Sequence, residues 1–203
     1  MPKEFSYPQD DTLAASEGLT PSATVGPFFH DALPYQNGPR LAGASRDRGI
    51  RLTGLVADGD GDPITDALVE IWQADEHGDF VEGPGIYHEP DAAGFRGFGR
   101  CATDTEGRFE FFTVKPAAVP TVDGEPQAPH IAMSVLARGM LRRAVTRVYF
   151  DDEATRNDSD PLLSTLEQGR GATLVATSVE GGYRFDVRIQ GDDETVFLDV
   201  FAR

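Results

Sequence analysis

Short runs in which apolar and polar residues alternate, broken by glycine, proline and aspartate, restrict this chain more than any other feature. Ile50 to Val56 reads apolar, polar, apolar in strict alternation, and so does Arg108 to Val114 after the turn residues Asp104-Thr105-Glu106-Gly107. A period of two places every second side chain on one face, which suits a half-buried strand and not a helix. Leu68 to Ala74 reads as a further strand, and the residues around Cys101 alternate in the same way. More strands are expected at 130–137, 144–150, 172–178, 183–190 and 195–201. Helical signals are sparse. The candidate is Asp160 to Glu167, with Asp160 as a cap and Pro161 at the first helical position. With 22 Gly and 14 Pro in 203 residues, many short elements joined by turns are expected. These signals predict a mostly β fold, an antiparallel sandwich or barrel, which we take as an antiparallel β-sandwich with long loops at 75–97 and 115–129 and an extended N-terminal arm.

A chain of 203 residues suits one sizeable core. We divide it into an arm and connecting segment at 1–49 and a sandwich domain at 50–203. Within the arm, Thr20 to His30 holds two prolines, a glycine and two adjacent aromatics. Proline fixes φ, so this stretch is expected to be extended, with Phe28 and Phe29 buried against the chain's own core or a partner.

The formal charge of −16 would repel phosphate backbones and anionic lipid, so neither nucleic acid nor membrane is an expected partner. No basic segment leads into an apolar run at the N-terminus, and a cytoplasmic, soluble protein is expected. Cys101, the single cysteine, reads as a small buried strand residue, not a nucleophile.

Several groups could carry chemistry. Asp58, Asp60 and Asp62 resemble a calcium loop, but Pro63 and Val69 stand where that loop needs glycine and a carboxylate. A tight turn explains them better. Asp75-Glu76-His77-Gly78-Asp79 reads as a solvated loop. The four histidines, His30, His77, His88 and His130, form no close pair. Arg138, Arg142, Arg143 and Arg147 cluster within an otherwise acidic chain. They suit either ion pairs with the chain's own carboxylates or the holding of an acidic ligand.

A set of ordered motifs goes further. Thr20 to Phe29 (TPSATVGPFF), Leu68 to Phe80 (LVEIWQADEHGDF), Phe112 to Pro116 (FTVKP) and Ala128 to Ile131 (APHI) resemble those of the intradiol ring-cleaving dioxygenases. Leu136 to Gly139, Arg147 to Ala154 and Tyr183 to Gly191 resemble the α-type chains of the protocatechuate 3,4-dioxygenase family in particular. The resemblance spans roughly residues 20–201. It implies cleavage of 3,4-dihydroxybenzoate by O2, between the two hydroxyl-bearing carbons, to 3-carboxy-cis,cis-muconate.

The same resemblance implies where iron would be held. Catalytic chains of the family hold Fe(III) with two tyrosines and two histidines. The matching positions here are Phe80, Val119, His130 and Ala132, so only His130 keeps a donor, and Gln127 stands where those chains have arginine. One imidazole cannot hold a hard ferric ion. The resemblance therefore implies no cofactor in this chain, and Fe(III) in a β-type partner with which it forms an (αβ)n hetero-oligomer. It also implies that Thr24, Gly26, Pro27, Phe28 and Arg138 line the partner's substrate cleft, with Arg138 favouring the carboxylate of an aromatic acid. The rival expectations are a stand-alone β-sandwich binding module and a metalloenzyme using His77, His88 and His130.

Overall fold

The computed structural model describes residues 23–24, 26, 28–43, 49–81, 94–120, 124 and 126–200. Its strands are β1 (Gly49–Ala57), β2 (Leu68–Trp72), β3 (Phe98–Ala102), β4 (Arg108–Val114), β5 (Val119–Pro120), β6 (Pro126–Gln127), β7 (Ile131–Leu136), β8 (Ala144–Phe150), β9 (Val175–Val179), β10 (Gly182–Arg184) and β11 (Val187–Arg188). The fold is mostly β, as the alternation predicts. Each long strand buries alternate residues: Leu52 and Val56 on β1, Phe109 and Phe111 on β4, Ile131, Met133 and Val135 on β7. Together with Val69, Ile71, Val148, Phe150 and Tyr183 they form one core.

Hydrogen bonding runs continuously around that core, in the order β11-β1-β10-β9-β8-β7-β2-β3, with β4 on the other flank of β1. Nine strands thus share one sheet, and β5 and β6 pair apart from it as a two-stranded ribbon. Antiparallel pairs predominate, but β1 pairs in parallel with β10 and β11, and β8 with β9. Alternation specifies a buried face and leaves strand direction open, so the antiparallel expectation is corrected to a mixed sheet.

Residues 38–42 close the remaining gap between β3 and β4. Arg100 N–H donates to Gly38 O (3.0 Å) and Arg96 N–H to Leu41 O (2.9 Å). On the other side Leu41 N–H donates to Phe112 O (2.8 Å) and Phe112 N–H to Pro39 O (3.0 Å). Both sheet edges are covered, and Leu41 and Ala42 are fully buried.

Three reverse turns share one design. Asp58, Asp75 and Asp104 each accept, through Oδ1, the backbone N–H groups two and four residues on. Three residues after each stands a glycine at positive φ: Gly61, Gly78 and Gly107. The Asp58 cluster and the Asp75 loop are therefore turns of this kind. The two N–H donors hold the Asp104 carboxyl below the usual carboxylate range.

Four local expectations are corrected. The stretch 183–190 is broken between β10 and β11, because the Asp186 carboxylate accepts Leu55 N–H (3.0 Å) in place of a ladder carbonyl. The strand expected at 172–178 begins only at Val175, after a 3-10 turn at Arg170–Leu174. Residues 195–200 lie beside β8 without strand structure, tied partly by hydroxyls: Thr146 Oγ1 donates to Val196 O and Val196 N–H donates to Thr173 Oγ1. The stretch 160–167 makes a single 3-10 turn at Leu163–Thr165. Asp160 still caps it, accepting Leu162 N–H (2.9 Å) and Leu163 N–H (3.1 Å).

In the arm, α1 (Phe29–Ala32) is one helical turn instead of extended chain, since nothing after Pro27 forbids helical φ/ψ. Phe29 is buried and Phe28 is 78% exposed. Cys101 is half-buried on β3, and burial raises its thiol pKa. Among the described residues no helix is long and apolar enough to cross a membrane.

Candidate functional site

One end of the β2–β3–β7 sheet region holds a small pocket. Trp72 lies opposite Phe98 on β3 and Ala132 on β7. The Asp75 turn then brings the chain back across this end, tied by Ala117 N–H to Asp75 O (2.9 Å). It delivers Phe80, whose ring stacks on Trp72 with centroids 6.2 Å apart and planes 10° from parallel. Ala117 enters from the loop after β4, and Val119 from β5. The resulting cavity, about 40 Å³, is lined by Trp72, Gln73, Ala74, Phe80, Ala117, Val119, His130 and Ala132. The four positions matched to iron ligands thus converge on one pocket.

Buried polar groups fix its walls. The Gln73 amide donates to Val114 O (2.9 Å) and Ala74 O (3.1 Å), and its oxygen accepts from Thr113 Oγ1 (2.7 Å). His130 Nδ1 lies 2.8 Å from Ala128 O. A carbonyl can only accept, so Nδ1 carries the proton and Nε2 keeps its lone pair. The corner bearing His130 is held by Asp160, which is fully buried. One Asp160 oxygen accepts Ala128 N–H (2.9 Å), and the other accepts Tyr149 OH (3.0 Å) as well as the two capping N–H groups. Burial pushes the Tyr149 hydroxyl pKa up.

Burial, helped by the nearby Arg147 charge and opposed by Asp160, lowers His130 from its ordinary 6.5 to about 4. The sign follows directly. Between pH 6.5 and 4 the unfolded chain binds a proton that the folded chain refuses, so stability falls as pH falls through that window. His130→Gln is expected to flatten this slope, read as the urea midpoint against pH. An unchanged slope would contradict the burial argument. Asp151, Asp152 and Glu153, which are also lowered, add their own loss at more acidic pH.

The donor chemistry does not fit iron. Phe80, Val119 and Ala132 offer no ligand atom, and His130 alone supplies one nitrogen. Among the described residues no group of three or more His, Cys, Asp or Glu could hold a metal ion. His88 lies outside the described residues.

Of the residues matched to a cleft-lining arm, Thr24 and Arg138 lie at the opposite end. Thr24 Oγ1 accepts Gly139 N–H (3.0 Å), next to Arg138, and Gly26 takes φ of 74°. Pro27 lies outside the described residues. Arg138 is 68% exposed and pairs with Asp66 (2.7 Å). Arg147 instead is half-buried on the β8 face that bears Tyr149, away from the main core, its guanidinium 3.4 Å from Tyr149 OH. Two further motifs meet at Lys115, whose ammonium bonds Asp152 (2.8 Å) and Glu153 (2.7 Å).

Sequence reasoning reached Asp160 only as a helix cap, and missed Gln73 and Thr113 as wall-fixing groups. The Asp-x-x-Gly spacing repeated at 58, 75 and 104 could have revealed the shared turns.

Nine strands thus wrap nearly closed around one core and carry the pocket at one end. Residues 24–191 match the sequence profile described as Dioxygenase. The chain belongs to the intradiol dioxygenase family. It is 43% identical to the protocatechuate 3,4-dioxygenase alpha chain of Burkholderia cepacia, over 89% of this chain and 97% of that one. It is 40% identical to the alpha chain of Pseudomonas putida, over 89% and 96%. The beta chain of Burkholderia cepacia is 34% identical, over 84% and 75%. In fold it is similar to catechol 1,2-dioxygenase of Acinetobacter radioresistens, with a TM-score of 0.58 at 18% identity, over 81% and 60%.

Proposed function

We propose that this chain is the iron-free α-type subunit of a protocatechuate 3,4-dioxygenase, paired with an iron-bearing β-type sister chain. The observation that carries this reading is the pocket itself: Phe80, Val119 and Ala132 line it beside His130, so the four matched positions converge while His130 alone offers a donor. Similarity to alpha chains and, more distantly, to a beta chain supports the pairing.

In this reading the ferric ion sits in the sister chain and supplies the oxidative chemistry there. The complex opens 3,4-dihydroxybenzoate between its hydroxyl-bearing carbons to 3-carboxy-cis,cis-muconate. This chain contributes the wall of the sister's cleft through Thr24, Gly26, Pro27, Phe28 and Arg138. The exposure of Phe28 and its place beside the Gly26 turn support that role. Arg138, steadied by Asp66, is a solvent-facing cation able to draw the substrate carboxylate against the chain's −16 background. Residues 1–49 serve as the arm and connecting segment of the 50–203 domain, with 38–42 as its anchored end. Several such pairs assemble as (αβ)n in the cytoplasm.

Expression alone and with an iron-bearing sister chain tests the proposal. Oxygen uptake with protocatechuate is expected only when both chains are present. A purified single chain that binds ferric iron and opens the ring unaided would overturn it.

A further inference from the structure

Phe28 faces water while its neighbour Phe29 is buried, so the direction in which Phe28 projects depends on where α1 lies. A helix of four residues cannot hold itself, and tertiary contacts must fix its place. Burial of the Phe29 ring seats the helix without fixing its angle. The directional contacts come from β3.

Arg100 on β3 joins the arm to the sheet. It lies directly across from Glu70 on β2. Its Nε donates to Glu70 Oε1 (2.7 Å), and its Nη1 donates to Leu33 O (2.9 Å), the residue that closes α1. The guanidinium carbon lies 5.9 Å from the centre of the Tyr35 ring and 5.5 Å from that of Phe98. Arg96 backs the same stretch, donating to Gly38 O (3.1 Å) with its guanidinium 5.3 Å from the Tyr35 ring. From Leu33 the link runs back through α1: Leu33 N–H donates to Phe29 O (3.1 Å) and Ala32 N–H to Phe28 O (2.9 Å).

The Arg100 and Glu70 side chains are only 13% and 16% exposed. An ion pair so far from water gains little net stability over an apolar pair of the same shape, and its best-attested use is to fix geometry. The planar guanidinium meets Glu70 and Leu33 O from different nitrogens at once. The compact ammonium of a lysine does not offer that fork.

We infer that Arg100, fixed by Glu70, is a positioning residue for the shared reaction: by holding Leu33 it sets α1 so that Phe28 projects into the sister chain's cleft. This rests on the reading of the arm given above. A displaced cleft wall loosens the hold on substrate and leaves the ferric centre in the sister untouched. Such a loss of uniform binding raises KM and spares kcat.

The co-expressed complex provides the test, with oxygen uptake followed against protocatechuate concentration. Arg100→Lys keeps a charge for Glu70 but gives up the fork to Leu33. It is expected to raise KM about fivefold with kcat changed less than about twofold. A role limited to neutralising Glu70 would be met by lysine, so a parent-like KM overturns the inference, as does a fall in kcat at constant KM. Phe28→Ala should raise KM to a similar extent, and the double variant should be no worse than Phe28→Ala alone. Effects that multiply in the double variant overturn the link from Arg100 to Phe28. Should the lysine variant assemble poorly, Glu70→Gln loosens the same contact more gently, with a KM rise of about twofold expected. An unchanged KM there overturns the inference. A parent-like KM for Phe28→Ala removes the cleft-lining role of that ring and this inference with it. A raised KM for Phe28→Ala beside a parent-like Arg100→Lys removes only the inference.

Discussion

Replacing Asp160 with alanine is expected to lower stability by roughly 3–5 kcal/mol, the largest loss from any single side chain discussed here. Asp160 is fully buried, and its carboxylate is the shared acceptor for Ala128 N–H, Tyr149 OH, Leu162 N–H and Leu163 N–H. Truncation strands four donors where water is scarce. A buried donor without an acceptor costs about 1–3 kcal/mol, and relaxation recovers part of the total. The damage should be regional as well. The same carboxylate ties the His130 corner to the satellite cluster of Ala128, Tyr149 and Leu174. Asp160→Asn is expected to lose less, because it keeps one acceptor oxygen and sets its amide against only one side of the network. The midpoint of urea unfolding, with the slope checked for constancy, reads both variants. A loss below about 1 kcal/mol for the alanine variant would show that the network is not the organising element proposed.

Leu41→Ala should cost about 2–5 kcal/mol, the range for a fully buried leucine whose surroundings collapse poorly. Collapse is hindered here by hydrogen bonds on both sides, to β3 and its approach and to β4. Across from Leu41 stands Gly99, where an added Cβ would overlap the Leu41 side chain and approach Gly38 O at 3.1 Å. Gly99→Ala alone is therefore overpacked. Combined with Leu41→Ala, it should be less harmful than the sum of the two, because the truncated leucine vacates that space. Loosening of this strap also uncovers two strand edges, so the Leu41 variant should aggregate more readily on heating. Strict additivity in the double variant would refute the proposed packing of Leu41 on Gly99.

Much of the fold was legible because β periodicity is a local property. Ile50 to Val56 and Arg108 to Val114 show their buried faces in the order of their residues, and β1 and β4 form where that order says. The Asp104 turn is equally local, since an aspartate binds N–H groups two and four residues away. The candidate pocket was legible only through resemblance. Nothing in the spacing of Phe80, Val119, His130 and Ala132 brings them together. The Asp75 turn and the β2–β7 register do so. The break at Asp186 was not legible, because a carboxylate replaces a carbonyl only after β1 has come alongside.

By itself, the order of residues determined that this chain is built of short strands around one core, because strand periodicity is a matter of short-range spacing. That three of the four positions matched to iron ligands carry no donor atom came from the family resemblance read against those side chains. The closure by residues 38–42, the parallel pairings, the second role of Asp160 and the seat of Thr24 on Gly139 were decided only by tertiary structure. Each depends on contacts between distant segments, such as Asp160 with Ala128 or Thr24 with Gly139, and local preference does not encode which surfaces will meet.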